Sequence, residues 1–183
     1  MKRILITAFE PFGGKSRNAS SETLRLLPDE IAGLEVRKLL LPVVFGKAAE
    51  KALEQEADAV FLLGEAGGRS EVTPEKRAKN IRDARIPDNE GNQPNNRPVL
   101  PGGAEEYRTA VPVERIVAQM RREGYRIAVS EDAGAFVCND TFYLVGTGSR
   151  VPVVFIHCPA EPERAREFAG AVARFIGLAL SVL

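Results

Sequence analysis

The stretch Ser130–Tyr143, SEDAGAFVCNDTFY, closes an apolar run (Arg126–Ser130) and turns through Ala133, Gly134 and Ala135. It then enters a helix expected to start near Cys138. An apolar strand, a glycine turn and a helix in that order make one unit of an α/β chain. A cysteine where a loop meets a helix N-terminus lies among unpaired backbone N–H groups and the positive end of the helix dipole. Both favour thiolate, the nucleophilic form. The alternative is a buried structural cysteine.

The sole histidine, His157, lies in Val151–Cys158, VPVVFIHC. This β-branched apolar run is expected to be a buried strand that delivers His157 at its C-terminal end, where open α/β sheets bind ligands. Cys158 follows directly, and neighbours on a strand point to opposite faces. A Cys/His pair, if one exists, is therefore Cys138 with His157.

Outward from these two segments, strands and helices alternate. Strands are expected at Arg3–Ala8, Leu34–Leu41, Ala57–Gly64 and Tyr125–Val129. Helices are expected from Ser20 or Ser21 to Leu27, over Gly46–Gln55 and Val113–Glu123, from Cys138 to Val145, and over Glu163–Leu180. The pattern implies a single α/β domain over 1–183 with helices on both faces of a sheet. Residues 84–104, ARIPDNEGNQPNNRPVLPGGA, carry four prolines and four asparagines without periodicity. So long a loop in a compact domain is a functional lid or is disordered.

Composition narrows the function. The 183 residues include 25 basic and 25 acidic side chains, a formal net charge of zero with no basic arm, which argues against nucleic acid. No apolar run reaches membrane-spanning length and no signal peptide is evident, so a soluble, cytoplasmic protein with reduced thiols is expected. With one histidine and no CxxC, a zinc site would have to be built almost entirely from carboxylates; no metal and no cofactor are expected. Phe9 and Phe12, in Phe9-Glu-Pro-Phe-Gly-Gly14 after the first strand, either cap the core or form a flat apolar clamp for a ring.

Taken together, these segments resemble the type I pyrrolidone carboxyl peptidase (pyroglutamyl peptidase I) family of cysteine peptidases. The resemblance rests on TAFEPFGG (Thr7–Gly14), GEAGGRSEVTPEKRAKNIRDARIPDNEGNQP (Gly64–Pro94), AGAFVCNDTFY (Ala133–Tyr143) and FIHCP (Phe155–Pro159). LPVVF (Leu41–Phe45) and Asn18 also fit. It implies a three-layer α/β/α sandwich around a twisted mixed sheet, a homo-oligomer (dimer or tetramer), and peptides with N-terminal pyroglutamate as substrates.

The same resemblance implies a catalytic triad of Cys138, His157 and Glu75, the last of which would otherwise pass as one charge among many. It also implies substrate contacts from Phe9, Phe12, Asn18, Glu65, Arg85, Phe136 and Val137. Two residues depart from the family pattern: Glu65 stands where the turn usually carries Gln, and Asp140 where His is frequent. The C-terminal third also looks shorter than usual. A related hydrolase of altered acyl preference, signalled by Glu65, and a non-catalytic ligand-binding homologue are the competing readings.

Overall fold

The computed structural model describes residues 1–183. Its centre is a six-stranded mixed sheet in the order β2-β3-β1-β4-β8-β5, with β1 at Arg3–Phe9, β2 at Glu30–Ile31 and β3 at Leu34–Leu41. The others are β4 at Ala59–Ala66, β5 at Thr73–Glu75 and β8 at Val153–Pro159. Strands β3, β1, β4 and β8 run parallel, while β2 and β5 are antiparallel edges. β8 is buried along its whole length, as its unbroken apolar run requires of a strand covered on both faces.

The period of two along these strands divides the core. Ile4, Ile6, Phe61, Leu63, Val154 and Ile156 pack on one face with α1 (Ala19–Leu26), α3 (Val113–Arg122) and α5 (Ala165–Leu180). Leu5, Phe9, Val60, Leu62, Val153 and Phe155 pack on the other with α2 (Lys47–Leu53) and α4 (Val137–Gly148). The result is the α/β/α sandwich. A small antiparallel pair, β6 (Arg77–Lys79) and β7 (Glu106–Arg108), packs beside α4. No helix is long and apolar enough to cross a membrane.

Three local expectations change. Tyr125–Val129 does not form a ladder; it makes single parallel bridges, Val72 with Ile127 and Glu75 with Ser130. The Pro74 carbonyl accepts the Ser130 N–H at 3.0 Å, but proline has no N–H to donate in turn, so the bonds on either side, Ala128 N–H to the Val72 carbonyl at 3.0 Å and Lys76 N–H to the Ser130 carbonyl at 2.8 Å, do not join into a continuous ladder. Thr73–Glu75, absent from the expected strands and opening the charge-dense segment 73–80, is conversely a fully buried edge strand on β8. Helix α1 starts at Ala19, ahead of the expected serines, and is capped by Asn18, whose Oδ1 accepts the Ser20 N–H at 2.9 Å.

The long loop is tied down at several points. Buried Asp88 accepts N–H groups from Phe45, Glu90 and Asn92, and Arg82 and Arg97 exchange backbone bonds of 2.6 and 2.9 Å. This anchoring holds residues 84–97 against the segment that follows β3.

Candidate active site

Strand order reverses between β1 and β4, and the crevice at the carboxyl ends of such strands is where α/β sheets build sites. A cavity of about 310 Å³ opens there. Its wall includes Phe9 from the end of β1, Glu65 from β4, His157 from β8 and Cys138 from the first turn of α4. Cys138 and His157 therefore meet on the α4 side of the sheet. Cys158, one residue on, is buried in the opposite core beside Thr23.

His157 and Glu75 make a buried pair. Register explains it: Thr73 lies opposite His157 on β8, and Glu75, two residues on, presents its side chain to the same face. Glu75 Oε1 is 2.7 Å from His157 Nδ1 and 2.8 Å from an Arg69 guanidinium nitrogen, with the Glu75 side chain wholly inaccessible. Glu75 Oε2 has no partner. With Nδ1–H donated to Glu75, the lone pair belongs to Nε2, the form a general base requires. Burial holds the imidazole below its ordinary pKa, and the Glu75 hydrogen bond opposes that shift.

The thiol does not behave as the helix N-terminus alone suggests. Burial, reinforced by the negative charge of Glu75, pushes Cys138 up to about 12, and the Arg69 guanidinium only partly offsets this. Desolvation outweighs the dipole, which favours a neutral thiol beside a neutral imidazole, and the two are not hydrogen-bonded to each other. Phe136, the N-cap of α4, carries no capping side chain, which leaves the first-turn N–H groups free to meet a developing negative charge.

Aromatic rings form much of the apolar wall. Phe136 stands between Phe12, at 6.0 Å, and Phe45, edge-on at 5.4 Å between centroids. Phe9 is buried against Phe155, which in turn packs on the His157 ring at 4.7 Å. The two phenylalanines of Phe9–Gly14 thus divide the work: Phe9 is largely core, and Phe12 is the half-buried ring at the cavity. Val137 is buried and lines the cavity beside Cys138. Arg85 is exposed at the cavity and makes no ion pair, unlike Arg82, which is bound to Asp140.

Asn18 and Glu65 reach the wall with their polar atoms engaged. The Asn18 amide donates to the Glu10 carbonyl at 3.1 Å while its oxygen caps α1. Glu65 accepts the Ala19 N–H at 2.6 Å and pairs with Lys15 at 2.6 Å. Lys15 and the start of α1 supply the positive charge that a buried carboxylate needs.

Two residues of the site had no individual signal in the sequence. Arg69 leaves the Gly67–Gly68 turn, where Gly68 has φ 79°, and contacts both Glu75 and the loop ahead of Cys138. Gly64 lies beneath the Cys138 sulfur. Gly64 lies near the end of β4 and Arg69 just past the glycine turn that follows it, and only coordinates show what they touch.

A family model for pyroglutamyl peptidase matches residues 2–174. The pyrrolidone-carboxylate peptidase of Staphylococcus carnosus is 42% identical over 171 residues, covering 88% of this chain and 80% of that protein. Among solved structures, pyroglutamyl peptidase I of Bacillus amyloliquefaciens superposes with a TM-score of 0.88 at 35% identity, over 98% of this chain and 95% of that one. A mutant pyrrolidone carboxyl peptidase of Pyrococcus furiosus superposes with a TM-score of 0.91 at 33% identity, over 99% of each chain. With the match running nearly end to end through sequence and fold alike, the chain belongs to the pyroglutamyl peptidase family.

Proposed function

We propose that this protein is a cysteine peptidase that hydrolyses the amide bond after an N-terminal pyroglutamyl residue, by way of a thioester on Cys138. The observation that carries the reading is the buried 2.7 Å Glu75–His157 pair opening into the same cavity as the only half-buried thiol. A pyroglutamyl group is a small flat lactam without a charged amine. It suits a pocket of aromatic faces whose two wall carboxylates, Glu65 and Asp132, are already paired with Lys15 and Lys79.

The chemistry follows from the neutral resting pair. As the Cys138 sulfur attacks the carbonyl carbon, His157 Nε2 takes the thiol proton, and Glu75 stabilises the imidazolium and fixes its orientation. The oxyanion is held by first-turn N–H groups of α4, with the unpaired Arg85 contributing positive charge. When the tetrahedral species collapses, His157 gives its proton to the departing amine. Water, deprotonated by the same nitrogen, then attacks the thioester; the pyroglutamate acid leaves and the thiol is restored.

Phe12, Phe136 and Val137 would flank the lactam ring, with Phe9 backing them from the core. Asn18 and Glu65 would shape the wall rather than bind substrate through their side-chain heads, since those heads are occupied. An acyl preference shifted by Glu65 is therefore not favoured. A cytoplasmic location agrees with two free cysteines. Assembly as a homo-oligomer carries over from the family resemblance, and light scattering would report it as a multiple of the monomer mass.

The test compares fluorophore release from pyroglutamyl and prolyl amides by wild type and by Cys138→Ser. Turnover of the pyroglutamyl amide by wild type alone is expected. Preference for the prolyl amide, or equal turnover by Cys138→Ser, overturns the reading.

A further inference from the structure

We infer that Arg69 is a positioning residue of this reaction, clamping the Glu75 carboxylate to the loop that delivers Cys138 and so fixing His157 relative to the sulfur. The inference rests on the peptidase reading above and adds a residue to it. One guanidinium reaches three groups. It lies 2.8 Å from Glu75 Oε1, hydrogen-bonds Thr73 Oγ1, and donates to the Asp132 carbonyl at 2.9 Å. Thr73 and Glu75 belong to β5, whereas Asp132 belongs to the turn that runs through Gly134 into α4. The backbone already bonds β5 to Ser130 at the start of this loop, and Arg69 adds the side-chain tie that runs from the carboxylate itself to Asp132, nearer the thiol.

The electrostatic need is equally local. Glu75 is wholly buried, its Oε1 is shared by His157 and Arg69, and its Oε2 is unpartnered. Without Arg69, a buried carboxylate would be left with a neutral imidazole as its one partner, an arrangement that is costly and free to rotate. A planar guanidinium holds several acceptors in fixed directions, which an ammonium cannot reproduce. The charged and titratable groups around the imidazole are Glu75 from β5, Arg69 from the turn after β4, and Cys138 from α4. Glu75 raises the pKa of both other titrating groups, and Arg69 lowers both. Burial is the main influence that holds His157 below its ordinary pKa against Glu75, and the guanidinium adds to it.

The sole histidine makes this measurable without turnover. Imidazole NMR of wild type, Arg69→Met and Arg69→Lys reports the His157 titration directly. The midpoint is expected to rise in Arg69→Met and to return towards wild type in Arg69→Lys. In parallel, hydrolysis of a pyroglutamyl amide by Arg69→Met is expected to lose about 100-fold in kcat with KM within about twofold, the scale for a misplaced reacting group. Its acid limb should move to higher pH. In a Glu75→Gln background, the same substitution should cost less than about threefold, because Arg69 acts through Glu75.

An unmoved imidazole midpoint overturns the inference. So does a loss confined to KM, or a loss that multiplies fully with Glu75→Gln. If circular dichroism shows Arg69→Met unfolded, Arg69→Lys decides: it keeps the charge but loses the fork, and a kcat comparable to wild type would refute the clamp. A wild-type protein inactive on pyroglutamyl amides, yet showing the midpoint shift, would refute the substrate assignment and leave the clamp standing.

Discussion

Gly64 on β4 and Cys138 on α4 approach so closely that a Cβ built on the glycine lies 3.0 Å from the sulfur. The same Cβ would lie 2.6 Å from the Phe155 ring, which is wholly buried and packs on His157. The missing side chain is what allows thiol, phenyl ring and imidazole to share one end of the sheet.

Gly64→Ala should therefore injure activity more than folding. Phe155 has no free volume to retreat into, and overpacking of this kind costs about 1–3 kcal/mol. Displacing the sulfur or the imidazole by even part of an ångström is expected to lower kcat by about 100-fold. Denaturant titration beside steady-state kinetics checks both; an alanine enzyme with wild-type kcat would contradict the packing described.

The pH profile should identify the neutral resting pair. The reactive form needs His157 unprotonated, and burial holds its pKa below the ordinary value of about 6.5. The kcat/KM value should rise with pH through a midpoint below that figure, since this ratio reports the free enzyme. The Cys138 thiol, pushed up to about 12, should react slowly with iodoacetamide at pH 7 and faster as pH rises. Fast alkylation with a plateau reaching down to pH 5 would mean a preformed thiolate–imidazolium pair instead.

Asp140, two residues beyond Cys138, has no exposed side-chain surface and accepts the Gly46 N–H at 2.7 Å and the Arg82 Nε–H at 2.5 Å. The pair ties α4 to α2 and to the segment carrying Arg85. Arg82→Met would leave the carboxylate with the Gly46 N–H alone. The expected cost is about 2–3 kcal/mol, below the full value for a buried pair because Arg82 is partly exposed. Asp140→Asn keeps an acceptor for Gly46 and removes the charge, so it should cost less. Urea midpoints for the two variants check the order.

Glu65 offers a fourth measurement. Glu65→Gln keeps an oxygen for the Ala19 N–H and gives up only the charge paired with Lys15. The ratio of pyroglutamyl to prolyl amide hydrolysis should stay within about twofold of wild type, since the carboxylate head faces α1 and not the ring. A ratio changed tenfold would show that the side chain reaches the substrate after all.

Much of this architecture was legible in the residues. Apolar runs at Arg3–Ala8, Ala57–Gly64 and Val151–Cys158 gave three of the four parallel strands, because strands covered on both faces have no reason to alternate; Leu34–Leu41, which carries Glu35, Arg37 and Lys38, is the part-exposed fourth beside the β2 edge. A lone histidine ending one of them and a cysteine opening a helix pointed to one end of one sheet, where both now lie. Glu75 was hidden for the converse reason. Its strand is three residues long and surrounded by charge, and its burial is decided by register on β8, a contact 82 residues away. The state of the thiol was hidden too, since a helix terminus is visible in a sequence and desolvation is not.

The row Gly64–His157–Thr73 runs straight across β4, β8 and β5. The strand in its middle is the last of the eight to be synthesised, while the strands on either side of it are made at least 78 residues sooner, counting from Glu75 to Val153. During translation, Glu75 and Cys138 are therefore both made before the chain has its single imidazole. A nascent chain that stops short of β8 holds no base for the thiol, whatever it has folded by then.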